Sequence, residues 1–259
     1  MISPELKISL FQSKIFWENP VLNLRHFGTY LQKIEGEPHW IVLPETFNTG
    51  FSLKREWVRF SERTLDWMSE MAERTGAVVS GSWLSPGEDA LPVNRFWFCF
   101  PDGRKDFYDK RHAFSLAGED QCIQRGSERK IIEIKGWRIA PMVCYDLRFP
   151  VWSRYQSGVY EYDVLCYVAN WPASRAHAWR QLLCARAIEN QCYVVGLNRV
   201  GKDGLGNAHR GDSVIHSPMG KKIIGGLPGK TVVLSATLTL KELLEFRNAF
   251  PFWRDSDVF

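Results

Sequence analysis

A mostly apolar run from Trp137 to Val143 ends on a cysteine, and a charged, proline-closed segment follows at once. The passage reads Pro141-Met142-Val143-Cys144-Tyr145-Asp146-Leu147-Arg148-Phe149-Pro150. Such a passage predicts a buried strand that stops at a sharp turn with a thiol at its tip. A strand-to-turn junction is where an α/β enzyme holds a nucleophile on a rigid core. Cysteine alone is weak evidence, because it packs as a small hydrophobe and is usually buried. The assignment of Cys144 therefore depends on what the rest of the chain supplies.

The chain has 259 residues, of which 45% are hydrophobic, enough for a sizeable core. Its formal net charge is +4, with the basic residues scattered, which gives no reason to expect a nucleic-acid partner. The opening Met1-Ile2-Ser3-Pro4-Glu5-Leu6-Lys7 lacks the basic-then-apolar order of a signal peptide. No apolar run approaches the roughly 20 residues of a membrane helix. The expectation is a cytoplasmic protein without a membrane partner. The six cysteines form no CxxC pair and have no histidine at zinc spacing, so neither a metal site nor a disulfide framework is expected. Cys99, Cys166 and Cys192 lie in or beside apolar strand-like runs and are expected to be buried.

Short runs rich in β-branched and aromatic residues predict strands at 6–11, 40–43, 77–83, 95–100, 130–134, 138–143, 164–169, 193–198, 213–216 and 231–237. Asp102-Gly103, Gly136 and the segment 218–220 mark hairpins. Leu22, Leu24, Phe27, Leu31 and Ile34 share one helical face. Leu65, Trp67, Met68, Met71 and Ala72 share another, with Thr64 as candidate N-cap and Gly76 as stop. Further helices are expected over 179–190 and 240–250, the second stopped by Pro251. Helices and strands alternate, but the hairpins are too many for a simple doubly wound sheet. A mixed pair of sheets covered by helices fits better, as one domain over residues 1–259.

Two further segments end strand-like runs on charge. Trp40-Ile41-Val42-Leu43-Pro44-Glu45 carries a carboxylate, and Phe107-Tyr108-Asp109-Lys110-Arg111-His112 carries an ammonium flanked by aromatics. Each residue alone is as readily a solvated charge. A thiol, a carboxylate and an ammonium at three strand ends suit covalent hydrolysis of an amide or nitrile. A thiol with a free pKa of about 8.5 needs a base to take its proton. A cation stabilises the oxyanion of the tetrahedral intermediate, and the carboxylate returns the proton to the leaving amine.

These motifs resemble the nitrilase (carbon–nitrogen hydrolase) superfamily, whose signature is Glu–Lys–Cys in this order. The matching pieces are Leu43-Pro44-Glu45-Thr46-Phe47, Tyr108-Asp109-Lys110-Arg111-His112 and Val143-Cys144-Tyr145-Asp146-Leu147-Arg148-Phe149-Pro150. Ala169-Asn170-Trp171-Pro172, Ala185-Arg186-Ala187-Ile188-Glu189-Asn190 and Arg210-Gly211-Asp212-Ser213 extend the likeness to almost the whole chain. Within the superfamily the motifs are most similar to those of YafV-type bacterial omega-amidases. The resemblance implies an α/β four-layer α-β-β-α sandwich with mixed sheets, commonly a homodimer. It implies hydrolysis of the terminal amide of 2-oxo acid amides such as 2-oxoglutaramate and 2-oxosuccinamate through a cysteine thioester, without metal or organic cofactor. The alternatives are an N-carbamoyl amino acid or deaminated-glutathione amidase, or an inactive binding protein of the same fold.

The roles carried over by resemblance are nucleophile for Cys144, base for Glu45, and oxyanion stabiliser for Lys110 with the backbone N–H of Tyr145. Glu119 is expected as a second glutamate that orients Lys110 or the substrate, with Asp120 as its rival. Arg175 is the candidate for the substrate carboxylate by position, against Arg111, His112, Arg199 and Lys202. Phe47, Phe114, Tyr145 and Trp171 are candidates for the pocket wall. Asp146 and Arg148 are candidate substrate ligands but are expected rather to pair structurally beside the nucleophile turn, and Arg186, Glu189 and Asn190 to fix their helix. His177 is expected to be structural. The apolar end Phe250-Pro251-Phe252-Trp253 is expected to dock on its own domain or on a second subunit.

Overall fold

The computed structural model describes residues 2–32, 34, 36–88, 91–155 and 159–255. The first half runs β1 (Glu5–Gln12), α1 (Pro20–Leu31), β2 (Trp40–Val42), α2 (Ser61–Thr75), β3 (Val78–Ser85), β4 (Val93–Cys99) and β5 (Lys105–Asp109). A short α3 (Glu119–Cys122) precedes β6 (Ile132–Ile134), β7 (Trp137–Val143), α4 (Pro150–Ser153), β8 (Val164–Ala169), α5 (Ala176–Asn190) and β9 (Tyr193–Asn198). The chain closes with β10 (Val200–Lys202), β11 (Ala208–Arg210), β12 (Val214–His216), β13 (Lys222–Gly225), β14 (Val232–Thr239) and α6 (Leu240–Ala249).

Two six-stranded sheets result, ordered β14-β1-β2-β3-β4-β5 and β13-β12-β9-β8-β7-β6. Each has a parallel centre, β1-β2-β3 and β7-β8-β9, extended by the antiparallel hairpins read from Asp102-Gly103, Gly136 and Pro218–Gly220. The period-two alternation of a strand sorts side chains between layers. Leu6, Ile8 and Leu10 of β1 and Trp40 and Val42 of β2 join the core shared with the second sheet. Phe11 and Ile41 point the other way, into a core with Phe27, Leu31, Met68 and Met71 of α1 and α2. Trp179, Leu183 and Ala187 of α5 pack on the second sheet, where α5 contacts β9 and β12. The order helices, sheet, sheet, helices is the expected four-layer arrangement.

Several local expectations are corrected. Thr64 is not a cap: α2 begins at Ser61 after a 3₁₀ turn, Arg55–Phe60. The Thr64 hydroxyl donates to the Phe60 carbonyl at 2.7 Å and accepts from Asn48 at 3.2 Å. Gly76 does end α2, in the left-handed conformation (φ +66°) that glycine adopts without a Cβ clash. α1 ends at Leu31, short of Ile34. The ribbon β10–β11 has no apolar alternation to announce it and is specified by Asp203, whose carboxylate accepts from the backbone N–H groups of Leu205 and Asn207. Among the described residues no helix is long and apolar enough to cross a membrane.

The C-terminal aromatic run docks on its own chain. Trp253 packs on Tyr160 at 4.9 Å between ring centres, and the Phe250 carbonyl accepts from Gln191. Arg186 of α5 donates to the Leu147 carbonyl at 2.7 Å and pairs with Glu189, so this helix braces the turn that follows Cys144. His177 lies exposed on α5.

Candidate active site

The two sheets bring their strand ends together at one rim. Pro44, which has no N–H to give a ladder, follows β2 and Leu43, and Glu45 comes next. Lys110 is the first residue after β5, and its backbone is fixed by N–H donation to Asn94 and acceptance from Gly126. Cys144 is the first residue after β7 and opens a 3₁₀ turn, Cys144–Arg148. Thr46 and Cys144 both hold positive φ, +41° and +46°, which for a side-chain-bearing residue costs about 1–2 kcal/mol. The turn that sets the thiol is thus a strained one that its surroundings hold in place.

Glu45 is fully buried and saturated. Its Oε1 accepts from Lys110 Nζ at 3.0 Å and from Asn94 Nδ2 at 3.0 Å, while its Oε2 accepts from the Asn170 N–H at 2.7 Å. The Asn170 side chain also donates to the Glu45 carbonyl and the Thr46 hydroxyl. Lys110 donates to both Glu119 oxygens at 2.9 Å, and the Phe114 N–H donates to the same carboxylate. Glu119, not Asp120, therefore completes the ionic cluster.

Burial alone would push the Lys110 ammonium toward neutrality, but the charges of Glu119 and Glu45 outweigh it and hold it protonated. Burial raises Glu119, opposed by Lys110. The Cys144 thiol lies well above its ordinary pKa, first through burial and then through the nearby Glu45 charge, with Lys110 acting in the opposite sense. The resting group is a neutral thiol near a carboxylate that can take its proton.

Above this cluster lies a cavity of about 710 Å³ with Lys110, Cys144 and Asn170 at its floor. Phe51, Phe114, Tyr145 and Trp171 form aromatic walls. Two guanidiniums line it as well: Arg148 stacks on Trp171 at 4.9 Å and Arg175 on Phe114 at 5.2 Å. Tyr145 packs edge-on to Phe114 and Phe149.

The other candidates for the substrate carboxylate do not line the cavity. Arg111 donates to the Gly126 carbonyl and stacks on Trp152, and His112 pairs with Asp146. Arg199 is buried, with Nε donating to the Val200 carbonyl and Nη2 to those of Ile15 and Lys202. Lys202 stands exposed on the ribbon. Arg148 does not pair with Asp146 as expected; Asp146 binds Tyr108, His112 and Val143 instead, which leaves Arg148 on the cavity wall.

Phe47 is a correction. It is wholly buried beneath the outer helices, against Phe27, Trp67 and Trp83 at 5.5–5.8 Å. The left-handed Thr46 reverses the chain and sends Phe47 into that layer, and Phe51 takes the wall position, its ring 5.3 Å from Lys110 Nζ. Sequence reasoning also gave no role to Asn94 and Asn170. Their signal was polarity at strand positions: a buried amide needs partners, and here the partner is Glu45.

The geometry agrees with three comparisons. The carbon–nitrogen hydrolase pattern matches residues 8–248. The omega-amidase YafV of Yersinia enterocolitica is 46% identical over 98% of each chain. The 2-oxoglutaramate amidase of Bacillus subtilis is 30% identical over 96% of each. The crystal structure of XC1258 from Xanthomonas campestris, a CN-hydrolase superfamily protein, superposes with a TM-score of 0.93 at 39% identity, covering 98% of both chains. With its strand-end Glu, Lys and Cys gathered under one cavity and its sequence and fold matched over nearly their whole length, the chain belongs to the carbon–nitrogen hydrolase family.

Proposed function

We propose that this protein is an omega-amidase that hydrolyses the terminal amide of 2-oxo acid amides such as 2-oxoglutaramate and 2-oxosuccinamate, releasing ammonia and the dicarboxylate. The observation that carries the reading is that Cys144 and Lys110, the latter paired with the buried Glu45 carboxylate, lie together at the floor of a cavity walled by two arginines. The names of relatives from Yersinia enterocolitica and Bacillus subtilis support the same substrate class.

Glu45 accepts the thiol proton as Cys144 attacks the amide carbonyl. The oxyanion is held by the Lys110 ammonium and the Tyr145 N–H, which sits at the start of a turn where main-chain N–H groups lack partners within the turn. Collapse expels ammonia, protonated through Glu45. Glu45 then takes a proton from water as it attacks the thioester, and the acid leaves with the thiol restored. Glu119 keeps the ammonium in place and charged. At the walls, Arg175 and Arg148 offer guanidiniums to the substrate carboxylate.

The test is ammonia release from 2-oxoglutaramate, 2-oxosuccinamate, glutamine, N-carbamoyl amino acids and simple nitriles, by wild type and Cys144→Ala. The 2-oxo acid amides should give the highest kcat/KM, and Cys144→Ala should lower it by at least about 10⁴-fold. A preference for N-carbamoyl substrates, which a cavity of about 710 Å³ has room to admit, would replace the substrate assignment and keep the mechanism. No hydrolysis of any of them would overturn both.

A further inference from the structure

Lys110 and Cys144 reach the site from different sheets, β5 on the edge of one and β7 inside the other. No ladder hydrogen bonds join those strands. An oxyanion hole made from the Lys110 ammonium and the Tyr145 N–H needs the two halves held to within a fraction of an ångström. Packing between sheet faces is non-directional and sets that distance only loosely.

Asn170 bonds Glu45 across the sheets, but the direct link between the lysine segment and the nucleophile turn is Asp146. Its carboxylate is fully buried and accepts four hydrogen bonds. Oδ2 takes the Tyr108 hydroxyl at 2.8 Å and the Val143 N–H at 2.9 Å. Oδ1 takes the His112 N–H at 2.9 Å and, with Nδ1 carrying the proton, the His112 ring at 2.8 Å. Tyr108 and His112 lie two residues either side of Lys110, while Val143 and Asp146 enclose Cys144 and Tyr145. One carboxylate thus clamps the lysine segment to the nucleophile turn. Its donors are themselves held: the Tyr108 hydroxyl accepts from Trp152 Nε1 at 2.9 Å, and the His112 ring stacks on Phe149 with centres 4.0 Å apart.

We infer that Asp146 is the positioning residue of the oxyanion hole: the Tyr108–Asp146–His112 clamp fixes Lys110 against the Tyr145 N–H and acts on the rate of acylation without touching substrate. The inference rests on the amidase reading. An asparagine at this position would present an amide N–H₂ to one pair of donors and break half of the clamp with little change of volume.

The test compares two reactions of the same thiol. Amide hydrolysis builds an oxyanion, whereas alkylation by iodoacetamide displaces iodide and builds none. Asp146→Asn should lower kcat by about 10–100-fold, with KM changed by less than about threefold, because Arg175 lies outside the clamped turn. The rate of Cys144 alkylation should stay within about threefold of wild type. Tyr108→Phe, which removes one donor and preserves shape, should lower kcat by about 3–10-fold in the wild-type background and by much less in the Asp146→Asn background. An unchanged kcat, a parallel fall of hydrolysis and alkylation, or additive effects of the two substitutions would each overturn the inference. These results differ from failure of the amidase reading itself, in which wild type would release no ammonia from any amide tested.

Discussion

The floor and the walls of the cavity are built on opposite physical terms. At the floor, Glu45, Lys110 and Glu119 are wholly buried, mutually hydrogen-bonded and held by Asn94, Asn170 and the Phe114 N–H. At the walls, the cations Arg148 and Arg175 are partly or largely exposed and lie across aromatic rings rather than against carboxylates. Buried charge is tolerated only when paired and hydrogen-bonded, so the floor is a closed unit with one arrangement. An arginine on an aromatic face keeps its N–H fork in the ring plane for a ligand to take. The floor is suited to a fixed chemistry and the walls to choosing what reaches it.

That contrast breaks most sharply at Glu45. Glu45→Gln should lower kcat by up to about 10⁴-fold through loss of the base. It should at the same time speed iodoacetamide alkylation near neutral pH. The Glu45 charge is one of the causes that raise the Cys144 thiol, so removing it lowers the thiol's pKa and populates the thiolate at lower pH. Stopped assays of both rates across pH 6–10 check the opposed directions, and a fall in both would show that the Glu45 charge does not govern the thiol.

Lys110→Met comes next. Loss of the oxyanion cation should cost about 10²–10³ in kcat. Two buried carboxylates are left facing each other without their partner, which should destabilise the fold by about 3–5 kcal/mol, read as a lowered denaturation midpoint. The alkylation profile should move to higher pH, since Lys110 is the group that favours the thiolate. A fold as stable as wild type would show that the floor is less closed than its hydrogen bonds imply.

The walls should respond in KM instead. Arg175→Ala is expected to raise KM for a 2-oxo acid amide about tenfold, the scale of one charge-assisted hydrogen bond, with kcat little changed and a short uncharged amide hardly affected. Equal effects on both substrates would take Arg175 out of the carboxylate role and leave Arg148 as the cation to test in the same way.

The smallest catalytic effects should separate two neighbouring phenylalanines. Phe51→Ala should alter KM a few-fold with little loss of stability, whereas Phe47→Ala should cost about 3–5 kcal/mol of stability and leave KM near wild type. Thermal or urea denaturation alongside kinetics distinguishes them, and a KM effect at Phe47 would contradict its burial.

The same pair shows how far the chain could be read without coordinates. Glu45, Lys110 and Cys144 were legible because each ends a strand-like apolar run, a property of neighbouring residues. The hairpins and the mixed character of the sheets were legible from apolar strands and turn signals, whereas the parallel pairing of β1-β2-β3 and of β7-β8-β9 was not. Phe47 was misplaced because alternation cannot be carried through a residue at positive φ, and Thr46 sits there. Thr64 resembled a cap because its helical face begins near it, while the helix itself starts one turn earlier after a 3₁₀ segment.

The sequence by itself determined which chemical groups close its strands: a thiol, a carboxylate and an ammonium. Only the tertiary structure decided their partners: Glu119 rather than Asp120 on Lys110, Asn94 and Asn170 on Glu45, Asp146 toward Tyr108 and His112, and Arg148 toward the cavity. The physical reason is range. Burial and alternation are imposed by adjacent residues along the chain, whereas a hydrogen bond joins whatever two segments the packing of separate sheets brings within 3 Å.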